Sequence, residues 1–299
     1  TFDAVVSPVV PGSVADKAQT AAVTDLNADS ADVNDTVTYT KVGSLVPSSS
    51  DGNFPGARPV VYPNDPSDAT KVTPAGVPTV PGYTAHDPEG HVLTPGSSYQ
   101  PSDPTKDTTI TYTADQQEGS VSYVDDTTGK TLKTDSISGT TGSKSSYSTS
   151  GSIADYKKQG YELVADGYPA DLTFDNDDTT DQNFTVHLKH RLTPVNPTDP
   201  KTPGTPINPD EPDGPKWPTR TNYDKTVNET ISYVDQNGQV VAKQHTDSVN
   251  FTRTVVVDNV TGEVITSGTG TTAWTATNGD TTFDAVVSPV VPGSVADKA

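Results

Sequence analysis

Four aspartates crowd the stretch FDNDDTTDQ, at Asp175, Asp177, Asp178 and Asp181. Clustered carboxylate oxygens suit a hard cation, and Ca²⁺ is the ion that collects several of them. The stretch has neither the glycine at the sixth position nor the distal glutamate of an EF-hand loop, so calcium would need a loop of another kind. Asp and Asn also form turns ahead of strands without any metal. Calcium is the one cofactor the sequence raises.

Sugar recognition would need aromatic faces with polar neighbours. Tyr156, Tyr161 and Tyr168 lie close together in sequence, and Trp274 stands further on. Small modules need their aromatics inside, so most of these should be core. Tyr161 follows a glycine and reads as core, whereas Tyr168, in a Gly-Tyr-Pro turn, is the exposed candidate. Tyr156, Tyr168 and Trp274 are the expected ligand contacts.

Catalysis has little to work with. The five histidines (His86, His91, His187, His190, His245) show no metal-ligand grouping. His187 and His190, three apart on one strand, should face opposite sides of a sheet. No nucleophile elbow, phosphate loop or H-E-x-x-H occurs. With no cysteine, thiolate chemistry and disulfides are excluded. The expectation is a protein that is not an enzyme.

The elements that would carry these residues are short strands. DTVTYTK (35–41), DTTITYTA (107–114) and DQNFTVHLKH (181–190) alternate apolar with polar residues, the pattern of a strand with one buried face. Upstream of each lies a glycine-led phrase: VPGSVADKA (10–18), VPGYTAHD (80–87) and KQGYELVAD (158–166). SVSYVDDTTGK (120–130) and TISYVDQNGQ (230–239) read as hairpins. Asn237-Gly238 is a type I′ signal, and Thr128-Gly129 a longer turn with glycine left-handed. GSIADYKKQGY reads as a helix capped by Ser152 and stopped at Gly160. Hairpin, helix, strand, strand is the order of a β-grasp module, and 42–117 looks like a proline-heavier version.

The first 18 residues, TFDAVVSPVVPGSVADKA, return letter for letter at 282–299. Repetition of this kind indicates a tandem array, here with a period of 281 residues (282 minus 1). One module is then split, its hairpin starting near Val227 and its closing strand lying at 19–41. Residues 1–41 are expected either to complete the 222–299 module of a neighbouring molecule, head to tail, or to be poorly ordered.

Prolines fall at every third position from Pro194 to Pro218. A polyproline II helix has three residues per turn, so the tract reads as a semi-rigid rod of roughly 75 Å. The expected fold class is α+β and β-rich, an elongated string of small β-grasp modules joined by Pro-rich linkers. The boundaries are 1–41, 42–117, 118–191, 192–221 for the linker, and 222–299.

Composition narrows the partners. The net charge is −20, the pI about 4.3 and hydrophobic residues only 30%. One large core is out of reach, but several small ones are possible. Negative charge argues against nucleic acid and anionic membranes, and no apolar run reaches the length of a membrane span.

SVSYVDDTTGKTLKTDSISGTTG…IADYKKQGYELVADGYP…FDNDDTTDQNFTVHLKHR resembles the MucBP-type domain of lactobacillus mucus-binding surface adhesins, over 118–191. TVNETISYVDQNGQVVAKQHTDSVNFTRTVVVDNVTGEVITSG…WTATNGDTTFDAVVSPVVPGSVADKA resembles the companion B2-type module, over 226–299 and on into 19–41. Residues 42–117 are similar to the β spacer of such arrays. The resemblance implies a secreted, cell-wall-anchored protein of a Gram-positive cell, its signal and anchor outside this stretch. It also implies binding to mucin glycoproteins, with immunoglobulin binding in some relatives; it brings no sugar-contact motif. A passive stalk is the alternative. Mucin glycans are often acidic, so long-range attraction to this chain is absent and short-range contacts multiplied by avidity must suffice. Adhesion should strengthen as pH falls towards the carboxylate range, near 4.

Overall fold

The computed structural model describes residues 1–299. The chain divides into two compact units, one formed by Thr1–Val121, Asp135–Tyr147 and Pro169–Phe184, the other by Ser122–Thr134, Ser148–Tyr168 and Thr185–Ala299. The division falls inside the 118–191 stretch, whose strands contribute residues to both.

In the first unit the alternating phrase DTTITYTA forms the central strand, Thr108–Ala114, of a five-stranded sheet. Ile110 and Tyr112 on its inner face are fully buried. Ser44–Ser48 lies parallel on one side and Tyr83–His86 antiparallel on the other. Val60–Val61 and Val92–Leu93 form the edges. A parallel neighbour requires a long crossover, and here the chain between the partners supplies Tyr62, Val72, Ala75, Val77 and Val80 to the core. Phe54 packs on Tyr83 and Tyr112 at 5.1 and 5.2 Å. No helix forms in 42–117; its many prolines leave too few backbone donors for one.

Within residues 1–41 two short strands form. Ser13–Ala15 pairs with Tyr39–Lys41, and Val14 joins the core of the 42–117 module. Asn64 fastens the turn by accepting from the Gly12 amide and donating to the Val10 and Ser13 carbonyls. Packing of Val14 into the core of the first unit orders these two strands within the chain itself.

The three glycine-led phrases behave alike. Gly12, Gly82 and Gly160 all have positive φ, the left-handed backbone that glycine reaches at least cost. Each leads into a strand antiparallel to the alternating phrase of its own module.

The 117–190 stretch builds a four-stranded sheet in the order Lys130–Thr140, Gln116–Asp125, Gln182–His190, Tyr161–Asp166, with a helix at Ser150–Lys158. Val186 and Leu188 point inward as the alternation requires. The helix starts earlier than expected, with Thr149 at the N-cap. Ser152 lies inside the first turn, where its hydroxyl accepts from Lys133 Nζ at 2.6 Å. Gly160, at φ 97°, ends the helix.

The turn at Asn237-Gly238 is not type I′. That turn needs positive φ at both central residues, and only Gly238 has it. Asp235 accepts from the amides of Asn237 and Gln239, stabilising a loop that needs one left-handed residue, as Asp125 and Gly129 do in the other hairpin.

The proline tract departs most from expectation: it is folded. Leu192–Val195 pairs with Val255–Asp258, which pairs in turn with Val264–Ile265. Val195, Ile207 and Tyr223 form a core with Val255 and Val257, with Trp217 packed against it. Lys201 and Gly204 adopt positive φ and turn the chain back. The Ile207 amide then donates to Pro215 O, and the Trp217 amide to Thr205 O, at 2.9 Å each. The proline period describes backbone preference only. Apolar side chains between the rings gain about 1.5–3 kcal/mol each on full burial, enough to favour turns, in which proline is also at home. The long hairpin Asp224–Val234/Val240–Thr252 follows, with Thr275–Ala276 added to its second strand.

Candidate functional site

The acidic loop does not gather its carboxylates. Asp175 and Asp177 accept from backbone amides two residues on. The Thr179 hydroxyl and amide hold the Asp177 carboxyl below the usual range. Asp178 turns away to accept from Gln117 Nε2 at 2.6 Å. It also meets Asp115, whose carboxyl is pushed above its ordinary value, chiefly by burial; the Thr84 hydroxyl opposes this and Asp178 adds to it. Asp181 stays exposed at the foot of the strand.

The aromatic candidates are partly committed. Tyr156 leans on Tyr123 and Tyr161, with ring centres at 5.7 and 5.5 Å. Tyr161 is buried, as its position after the glycine implied. Tyr168 is half-buried in its turn, its amide donating to Asp166. Trp274 carries the Arg253 guanidinium over its ring at 4.3 Å and the Lys225 ammonium at 5.4 Å. Cation–π contacts of this kind occupy surface that a sugar would need.

A shallow cleft of about 350 Å³ opens in the first unit between Asn53, Pro55, Tyr83, Phe174 and Asn176. Its aromatic rings are almost wholly buried (Tyr83 9% and Phe174 2% exposed), leaving amides and a carboxylate to meet a ligand.

Two clusters escaped the sequence. In the turn DPEGH, Asp87, Glu89 and His91 bring their ligand atoms within 4.8 Å of one another. Burial pushes Asp87 up, but hydrogen bonds from the His91 amide and ring outweigh it and hold the carboxyl below its usual value. The alternate spacing of acid, acid and imidazole around a glycine was the available signal. In the second unit His190 is buried between Asp125 and Asp258. Its Nε2 lies 2.6 Å from Asp125 Oδ2 and its Nδ1 2.7 Å from Asp258 Oδ2. Separations of 65 and 68 residues hide that cluster from any local pattern. His187 faces the other way, exposed and paired with Asp126 at 2.8 Å.

Residues 117–190 match the model of the mucin binding domain, and residues 1–43 and 218–299 match that of the Muc B2-like domain. A solved structure described as Mub-RV is 36% identical; the match covers 59% of this chain and 83% of that one, with a TM-score of 0.43. The chain belongs to the mucus-binding repeat family. The type 2 repeat of the mucus-binding protein MUB from Lactobacillus reuteri is 32% identical, over 59% of this chain and 84% of that one, with a TM-score of 0.40. No curated protein matches. The mucus-binding repeat is thus β-rich with one short α-helix, and no helix is long and apolar enough to cross a membrane.

Proposed function

We propose that this chain is a repeat unit of a non-catalytic adhesin, displayed on a Gram-positive cell wall, that grips mucin glycoproteins through many weak contacts. The observation that carries the reading is the presence of mucin-binding and Muc B2-like sequence in one chain. The shallow cleft of the first unit, with its aromatic rings buried, favours weak contacts multiplied by repetition over one tight site. Helix placement between a hairpin and two further strands supports a β-grasp module at 118–191, bounded by modules at 42–117 and 222–299. Tyr168, half-buried in its turn, is the leading sugar contact, and Tyr156 and Trp274 are the other two. Calcium at Asp175, Asp177, Asp178 and Asp181 would require those side chains to turn inward.

The test is capture of the whole chain on immobilised mucin and immunoglobulin, with calcium or chelator, between pH 7 and 5. Weak mucin binding that strengthens towards pH 5 is expected, and Tyr168→Ala should weaken it several-fold. Capture by immunoglobulin alone would establish the other partner, and capture by neither a passive stalk. Head-to-tail association is a second reading, favoured by Val287, Val290 and Val295, which stand 84–99% exposed. Sedimentation that stays monomeric over a hundred-fold concentration range would remove it.

A further inference from the structure

We propose that Asp125, His190 and Asp258 form a proton-operated lock that fixes the mucin-binding stretch 117–190 against the β-structure at 192–265. All three residues belong to the second unit. His190 ends the last strand of the first stretch, Asp125 sits at the end of its opening strand, and Asp258 ends a strand of the second. All three are at most 6% exposed.

Each ring nitrogen faces a carboxylate oxygen, and an ionised carboxylate can only accept. With both carboxylates ionised, satisfying both contacts requires a proton on each nitrogen, an imidazolium between two carboxylates. Losing that proton would leave a nitrogen lone pair facing a buried negative oxygen. The other oxygen of each carboxylate is engaged too: Asp125 Oδ1 by the Thr127 amide, and Asp258 Oδ1 by the amides of Val260 and Thr261.

The seam around the lock has no slack. Only Arg191 separates His190 from the next strand; its amide donates to Gly160 O, and the Asn259 amide donates to Arg191 O. A Cβ at Gly160 would come within 2.4 Å of Asn259 O. Asn208 and Thr193 bond the carbonyl and side chain of Asn259.

Among other titratable groups, Tyr161 presents its ring to His190 edge-on, 5.3 Å away. Asp126 is engaged by His187, and Glu162 by Lys189 at 3.4 Å; Glu263 meets Asp258 through its backbone carbonyl. Burial alone would lower the imidazole's proton affinity, but Asp258 and Asp125 outweigh it and hold the ring above its ordinary value of 6.5. The lock is therefore closed below that raised value and opens as pH rises through it.

The absence of native cysteine permits two nitroxide labels, at Asp155→Cys and Thr202→Cys, in the whole chain. Spin–spin distances should be narrowly distributed at pH 6 and at least twice as broad once the imidazole has titrated, as followed by its ¹⁵N resonances. Asp258→Asn should lower the proton affinity of His190 at least tenfold and broaden the distribution already at pH 6. His190→Gln should remove the pH dependence; if it fails to fold, the titration of the unsubstituted ring decides. A ring neutral at pH 6, or distances unchanged across its titration, would overturn the lock.

Discussion

Residues 1–18 and 282–299 are one sequence in two surroundings, and the structure separates what that sequence does alone from what its neighbours make it do. In both copies a serine hydroxyl and amide tie the segment into a loop. Ser7 bonds the carbonyls of Lys17 and Ala18; Ser288 bonds those of Lys298 and Ala299. In both, the turn glycine is left-handed, with φ 81° at Gly12 and 82° at Gly293. The strand, however, exists only in the first copy. Val14 is 4% exposed and paired across to Thr40, while its counterpart Val295 is 99% exposed. The loop is thus written into the 18 residues, whereas the strand belongs to the partners: Tyr39–Lys41, Asn64 and Ala69. This is tertiary override of a modest β-propensity.

The largest test exchanges the same atoms at both sites. Val14→Asp buries a charge without a partner and should destabilise the first unit by about 3 kcal/mol or more. Val295→Asp should change stability by less than about 0.5 kcal/mol; urea unfolding of the two variants measures the contrast. Next, Asn64→Ala removes three hydrogen bonds that only the first copy has, for a loss of roughly 1–3 kcal/mol. A smaller split is expected from Gly12→Ala against Gly293→Ala. Neither glycine has atoms within 4 Å of a new Cβ, so the cost is conformational, about 1–2 kcal/mol where the turn is anchored and near zero where it is not. Smallest is Lys17→Ala. The Asp35 hydrogen bond holds the Lys17 ammonium above its ordinary value, yet the pair at 2.6 Å is solvent-exposed. Its removal should shift the thermal midpoint barely at low salt and not at all at high salt. Equal responses of the two copies in the first pair would overturn the comparison.

The same division explains what could be read from the sequence. Ile110, Tyr112, Val186 and Leu188 announced their buried faces because alternation is a local property of the strand. Gly12, Gly82 and Gly160 announced their turns because positive φ is paid for by one residue alone. The proline tract misled because its local preference for extension was real but lost to burial of Val195, Ile207 and Tyr223. The Ser152 cap misled because Thr149, three residues earlier, could open the helix as well. Of the candidate site, Tyr161 was legible as core, while the engagement of Trp274 by Arg253 and of His190 by two distant aspartates depended on chain crossings that no local spacing encodes.

The folding of the proline tract has a mechanical corollary. About 30 residues that would span roughly 90 Å when drawn out, at about 3.1 Å each, are reeled in around a handful of apolar side chains. No disulfide limits their extension. A pull on the two ends of this segment would therefore draw out spare length before it strained the chain beyond.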